Sequence, residues 1–221
     1  MSFEAGGFAL FSSVVDESTL EELRAEFTRL HSGGTAGVRN VLEQSPLIAS
    51  LANSEALVRH LPASGLKPVR SLLFDKTPEA NWPVAWHQDR TITVKDRHEV
   101  DGYSPWTFKN QIHHVEPPAE LLAKMVTLRI HLDDGGPENG PLSIVPGSHC
   151  QGKIPPDHIA GLADANATVI TCVAGDVFMM RPLLLHSSRR AAKPGHRRVI
   201  HLEFADPEIL EQPLSWAEWG G

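Results

Sequence analysis

Cysteine, tyrosine and long apolar runs are all scarce in this sequence. Its 221 residues include two cysteines, Cys150 and Cys172, and a single tyrosine, Tyr103. Two cysteines without a CxxC pairing supply neither a zinc frame nor a disulfide framework, and they suit a reducing compartment. No stretch approaches the roughly 20 apolar residues that a bilayer span requires. The start, Met1-Ser2-Phe3-Glu4, lacks the basic region of a secretory leader. Basic residues are outnumbered, 20 Lys and Arg against 27 Asp and Glu, for a formal charge of −7. That balance weighs against nucleic acid or an anionic membrane as the main partner. The expectation is a soluble, cytoplasmic protein with neither partner.

What is present is ordinary globular material. Hydrophobic residues make up 41% and charged residues 21%, enough to bury a core and too apolar for disorder. Ser18-Thr19-Leu20-Glu21 has the form of a capping box, and Leu20, Leu23, Phe27 and Leu30 recur at helical spacing, predicting a helix over Thr19–Leu30. Ser45-Pro46 reads as an N-cap with proline at the first helical position, opening a helix through Leu51, and Ser54–Leu61 adds a shorter one.

From Pro68 the pattern turns to strands: Val69–Asp75, Val84–Asp89, Val126–Leu132, Leu142–Val145, Thr168–Val173, Val177–Met180, Leu183–Ser187 and Arg198–Phe204. Turn signals such as Asp134-Gly135-Gly136-Pro137 and Lys193-Pro194-Gly195 separate them. Helices followed by many short strands predict an all-β sandwich or jelly roll with a helical flank. No linker or repeat interrupts it, so 1–221 reads as one domain, with 1–67 mainly helical and 68–205 the β core. Thr91–Pro118 has little periodicity and reads as a long loop, a surface excursion or a functional lid.

Twelve histidines are the compositional oddity. Two His-x-Asp pairs occur, His87-Gln88-Asp89 and His131-Leu132-Asp133, with His114-Val115-Glu116 a looser third. Spacing of two on a strand places both side chains on one face, as shared chelation demands. Asp133 and Glu116 adjoin turn residues, where a carboxylate serves local capping. Asp89 lies in what reads as a continuing strand and so calls for a partner, either a surface cation or a metal. Two imidazoles and one carboxylate are the ligand set of a non-haem Fe(II) site with open coordination positions. His186 could supply the second imidazole, although a histidine at a strand end is more often a hydrogen-bonded structural residue.

Six segments in order, Phe74-Asp75-Lys76, Trp86-His87-Gln88-Asp89, Asn139-Gly140-Pro141-Leu142, Pro146-Gly147-Ser148-His149, Gly175-Asp176-Val177 and Leu185-His186-Ser187-Ser188, resemble the phytanoyl-CoA dioxygenase family. The resemblance runs from about Val69 to Ala205. It implies a double-stranded β-helix, the cupin-like jelly roll, carrying an oxygenase that uses Fe(II), 2-oxoglutarate as co-substrate, and O2. It also implies His87, Asp89 and His186 as metal ligands and catalytic centre, because four strands must separate the pair from the lone histidine. Only three follow His131. The family's arginine for the co-substrate falls eleven residues after the distal histidine, at Arg197, with Arg129 and Leu72 at further contact positions.

Arg197 and Arg198 face opposite ways on a strand, so the register decides between them. The apolar alternation of Ile200, Leu202 and Phe204 favours Arg198 inward, whereas the family spacing favours Arg197, which is the assignment adopted. The function implied is hydroxylation of a small organic metabolite with release of succinate and CO2. The carboxylate at Asp89 speaks against halogenation, since related halogenases lack it. Thr91–Pro118 is the expected specificity element. A cupin-type metalloenzyme without 2-oxoglutarate would need the triad but no arginine, and a non-catalytic jelly-roll binding protein would need none of the four. Trp216 and Trp219 are expected to pack only.

Overall fold

A computed structural model describes residues 1–31 and 37–218. Trp219 lies outside them. The N-terminal part comprises α1 (Phe3–Gly6), β1 (Phe8–Phe11), α2 (Glu17–Leu30), β2 (Gly37–Arg39), α3 (Val41–Gln44), α4 (Pro46–Ala52) and α5 (Glu55–Val58). Next come β3 (Lys67–Phe74), β4 (Val84–His87), β5 (Ile92–Val94), β6 (Trp106–Lys109), β7 (Ile112–Val115), α6 (Ala119–Lys124), β8 (Val126–His131) and β9 (Leu142–Ile144). The chain finishes with α7 (Pro156–Asn166), β10 (Thr168–Ile170), β11 (Val177–Met180), β12 (His186–Ser188) and β13 (Val199–Ala205).

The strands form a six-stranded antiparallel sheet ordered β1-β11-β8-β13-β3-β2 and a four-stranded sheet ordered β10-β9-β12-β4. Leu142 and Ile144 of the smaller sheet pack with Phe178 and Met180 of the larger, so the two sheets close on each other as a jelly roll. The larger sheet buries both faces. Its outer face, carrying Leu128, Ile130, Ile200, Leu202 and Phe204, packs on Leu20, Leu23 and Phe27 of α2. Its inner face carries Arg129 and His201, which line a cavity between the sheets. The apolar alternation of β13 therefore marks the face turned to the helices.

Local chemistry sets several boundaries. Asp16, rather than Ser18, caps α2, accepting from the Thr19 amide at 2.9 Å. The helix starts at Glu17, two residues before the capping box predicts, because an earlier acceptor reaches the same free donors. Ser45 caps α4, its hydroxyl accepting from Ile48 N at 3.2 Å, with Pro46 first in the helix. No helix among the described residues is long and apolar enough to cross a membrane.

Two expectations are corrected. Residues 91–118 are not a structureless loop: β5, β7 and β6 build a three-stranded sheet, and Ile92, Val94, Tyr103 and Val115 bury its inner face with Trp216. The strand predicted over Val84–Asp89 ends at His87, so Asp89 lies outside regular pairing, its amide donating to Pro182 O at 2.9 Å. The flank, mainly helical, also contributes β1 and β2 to the edges of the larger sheet, and α6 and α7 interrupt the strand region. These elements are short or weakly periodic, so sequence pattern alone does not reveal them.

Candidate metal centre

His87 ends β4 and His186 opens β12. The two are paired directly across the sheet, with ring centroids 4.2 Å apart. Asp89 completes the group: Oδ1 lies 3.7 Å from His87 Nε2, and Oδ2 lies 3.8 Å from His186 Nε2. One ligand atom from each residue falls within 4.8 Å of the others. The geometry brings together three of the residues that the sequence singles out.

Both imidazoles are oriented by the same device. Nδ1 of His87 donates to Ala85 O and Nδ1 of His186 to Leu184 O, each at 2.8 Å. A proton on Nδ1 leaves the Nε2 lone pair facing the centre, the tautomer that a metal ligand needs. Burial, aided by neighbouring His87 and Arg129 and opposed by Asp89, pushes the His186 pKa down to about 4, so this ring is neutral at physiological pH. Burial by itself would raise Asp89, but His186, His201, His87 and Arg70 outweigh it and hold the carboxyl at about 2. Asp89 Oδ2 is buried without a hydrogen-bond partner, a costly arrangement unless something cationic occupies the space beside it. An anionic oxygen and two imidazole nitrogens whose Nδ1 atoms are already engaged fit a divalent transition metal held on one face.

The backbone around His87, Asp89 and His186 is tied down by side chains of the same motifs. Gln88, alternating away from the centre, donates to Gly152 O at 2.8 Å and Leu183 O at 2.7 Å, and accepts from Ile154 N at 2.9 Å. Ser148 accepts from Leu185 N at 2.8 Å, one residue before His186.

A cavity of about 240 Å³ opens on the triad. Arg197 lines it and is buried: its amide donates to Asp75 Oδ1 at 3.0 Å, and its guanidinium donates to Gly140 O. Gly140 has φ +60°, and a Cβ there would sit 2.7 Å from Arg189 O, so this turn requires glycine. Arg198 points away and binds Asp133 through two contacts of 2.8 and 2.7 Å. Arg129 and Leu72 also line the cavity, and Arg129 donates to His201 Nδ1 at 3.2 Å. The Nε atoms of Arg129 and Arg197 are both buried and unpartnered.

The rival pairs do not assemble. Asp133 is turned to Arg198 and Arg24, and Glu116 is bound by Arg90 at 2.6 Å and Lys153 at 3.0 Å. Arg90, the surface partner that Asp89 might have taken, is thus engaged elsewhere. Sequence reading gave no role to three lining residues, Lys76, His201 and Arg39. Lys76 donates to Ser188 Oγ at 3.0 Å and Arg189 O at 2.6 Å. Burial, with Arg197 and Arg129 nearby, lowers its pKa to about 8. The alternation of Leu72, Phe74 and Lys76 places it on the inner face and could have drawn attention to it.

Comparison with known proteins agrees with this architecture. Ectoine dioxygenase from Nocardia farcinica (strain IFM 10152) is 27% identical over 253 residues, covering 97% of this chain and 79% of the relative. HygX from Streptomyces hygroscopicus, solved with nickel and 2-oxoglutarate bound, superposes with a TM-score of 0.68 at 20% identity, covering 95% of this chain and 86% of that one. EctD from S. alaskensis, in its apoform, gives 0.71 at 19% identity, covering 96% and 77%. The phytanoyl-CoA dioxygenase (PhyH) family model matches residues 3–199, nearly the whole described jelly roll, and the chain belongs to that family of Fe(II)- and 2-oxoglutarate-dependent oxygenases.

Proposed function

We propose that His87, Asp89 and His186 hold the Fe(II) of this oxygenase, that Arg197 binds the distal carboxylate of 2-oxoglutarate, and that residues 1–221 act as one catalytic unit hydroxylating a small organic metabolite. The observation that carries the ligand assignment is the buried, unpartnered Asp89 Oδ2 facing two imidazoles whose Nδ1 atoms are already committed to main-chain carbonyls. Fe(II), when bound with 2-oxoglutarate and O2, supplies the oxidising chemistry and releases succinate and CO2.

The protein's own residues bind, orient and shield. Arg197 offers a planar, permanently charged donor pair to a carboxylate, with Lys76 adding a second cation on the same side of the cavity. Arg129 presents its free Nε from the neighbouring strand β8. Leu72, Phe74 and Leu142 supply apolar wall that limits water around the reacting groups. A volume near 240 Å³ is below the range of roughly 300–1,000 Å³ usual for drug-sized ligands, which supports a small free metabolite over a bulky acyl-carrier conjugate.

Anaerobic addition of Fe(II) and 2-oxoglutarate tests the assignment. A visible metal-to-ligand charge-transfer band is expected in the native protein. Asp89→Ala should lose it and lower 2-oxoglutarate turnover by roughly 100-fold or more, since loss of a ligand exceeds the 10–100-fold typical of its outer partners. Undiminished turnover in Asp89→Ala would refute the ligand set. Metal binding without the band would point to a cupin-type enzyme that does not use 2-oxoglutarate.

A further inference from the structure

The cavity carries more positive charge than its co-substrate can use. Four cationic side chains, Arg39, Lys76, Arg129 and Arg197, line it against one carboxylate, Asp89. A divalent metal and a dicarboxylate co-substrate cancel each other's charge, so the excess persists when both are bound. An excess of cations around a cavity favours an anionic occupant.

Arg39 is set apart from the other three. It ends β2 at the sheet edge, opposite Leu72, and Leu72 stands opposite His201, which stands opposite Arg129. Three strand steps separate Arg39 from Arg129, about 14 Å between α-carbons. Arg197, two residues before β13, donates its amide to Lys76 O, two residues past the end of β3 and four beyond Leu72, with β13 two strands over from β2. That offset is on the order of 16 Å. A co-substrate anchored at Arg197 and reaching the triad therefore leaves the Arg39 side of the cavity open.

Arg39 lines the cavity from an exposed position, and among the described residues it makes no ion pair and its guanidinium has no hydrogen-bond partner. Arg70, whose charge acts on Arg39, is itself satisfied by Glu203 at 3.0 Å and Thr91 O at 3.1 Å. Leu72, opposite Arg39 on β3, and Trp82 add apolar lining to the cavity, whereas the Val38 side chain turns to the helix-facing core. We propose that Arg39 docks an anionic group of the substrate, and that the substrate is a small carboxylate whose less polar body extends from Arg39 toward the triad. Charge, size and the position of the free guanidinium all select for it. This inference rests on the oxygenase reading above, which assigns Arg197 to 2-oxoglutarate.

The test pairs small metabolite carboxylic acids with their primary amides, which match them in shape and lack the charge. Succinate release from 2-oxoglutarate is measured with Fe(II) alone and with each compound. At least one acid should stimulate release severalfold while its amide does not. Arg39→Leu should raise the KM for that acid more than tenfold, and Arg39→Lys should restore most of the loss. Calorimetric titration of the metal-free protein gives a readout apart from turnover: the acid should bind the native chain about tenfold tighter than the amide, and Arg39→Leu should erase the difference. Amides that stimulate as well as acids, acids that never outperform amides, or an unchanged KM in Arg39→Leu would each overturn the proposal. Absence of any 2-oxoglutarate-dependent succinate release in the native protein would instead overturn the oxygenase assignment of the site.

Discussion

Arg197 and Arg198 are adjacent in sequence and lie on opposite sides of the same sheet. The first is buried beside the cavity with its guanidinium on Gly140 O. The second grips both oxygens of Asp133. Their substitution should separate two properties. Arg197→Gln is expected to raise the KM for 2-oxoglutarate by roughly 10-fold or more, because a charged, bidentate contact is lost. Arg198→Gln should leave that KM near native and cost about 1–2 kcal/mol of stability, as a partly buried ion pair warrants. Steady-state kinetics and urea unfolding of both variants check the pair. The opposite distribution of effects would move the co-substrate to Arg198.

Lys76 predicts a pH dependence. Its folded pKa, brought to about 8 by burial and by Arg197 and Arg129, means that the free protein loses this cation as pH rises through 8. A bound carboxylate favours the ammonium form, so binding is tightest below pH 8 and weakens above it. The kcat/KM for 2-oxoglutarate should fall by up to roughly tenfold per pH unit on the alkaline side. Lys76→Arg should flatten that limb while keeping a low KM, and Lys76→Met should flatten it at a high KM. A native profile with no fall between pH 8 and 9.5 counts against the role.

His201 should act through Arg129. Arg129 can only donate, so the 3.2 Å contact fixes His201 Nδ1 as the acceptor. Nε2 then faces Glu203 Oε1 at 3.4 Å. His201→Leu removes the acceptor and frees the guanidinium to turn. The expected result is a KM for 2-oxoglutarate raised by roughly 5–20-fold with kcat changed less. His201→Asn, which keeps an acceptor near the Nδ1 position, should recover part of the loss. A purely structural role would show in melting temperature without that rescue.

Gln88 predicts a combined cost. Its amide serves Gly152 O, Leu183 O and Ile154 N from a buried position. Gln88→Leu leaves these main-chain groups without their partner and should cost about 2–4 kcal/mol in denaturant unfolding. Fe(II) affinity should also drop by roughly 10-fold, because the segment carrying His87 and Asp89 is no longer tied to the one preceding His186. Native metal affinity in a destabilised Gln88→Leu protein would confine the residue to folding.

His87 and Asp89 were legible as a candidate pair because their information is local, two residues apart on one strand face. His186 carried no such local signal and was singled out, as was the preference for His87 and Asp89 over His131 and Asp133, by the ordered segments that resemble the phytanoyl-CoA dioxygenase family; the structure brings the three together. Arg197 was harder. Alternation along Val199–Phe204 shows which side chains are apolar but not what each face meets, and in this chain the apolar face meets α2 instead of the barrel interior. Arg39 carried no signal. It sits on a three-residue edge strand whose place depends on pairing with β3, a contact made across more than 30 positions of sequence. The 91–118 segment misled for a similar reason: its three short strands bury apolar residues against Trp216 and Leu214, supplied about 100 residues later.

The carbonyls of Ala85 and Leu184 that hold the two imidazoles belong to the main chain. A side-chain partner could be lost by a single codon change; these acceptors persist whatever residue stands at 85 or 184, provided the strand path is kept. The proton inventory of the centre is thereby insulated from mutational drift at its neighbours. Randomisation at either position should leave both imidazoles in the same tautomer, and variation elsewhere around the cavity is free to reshape what enters it without disturbing how His87 and His186 are presented.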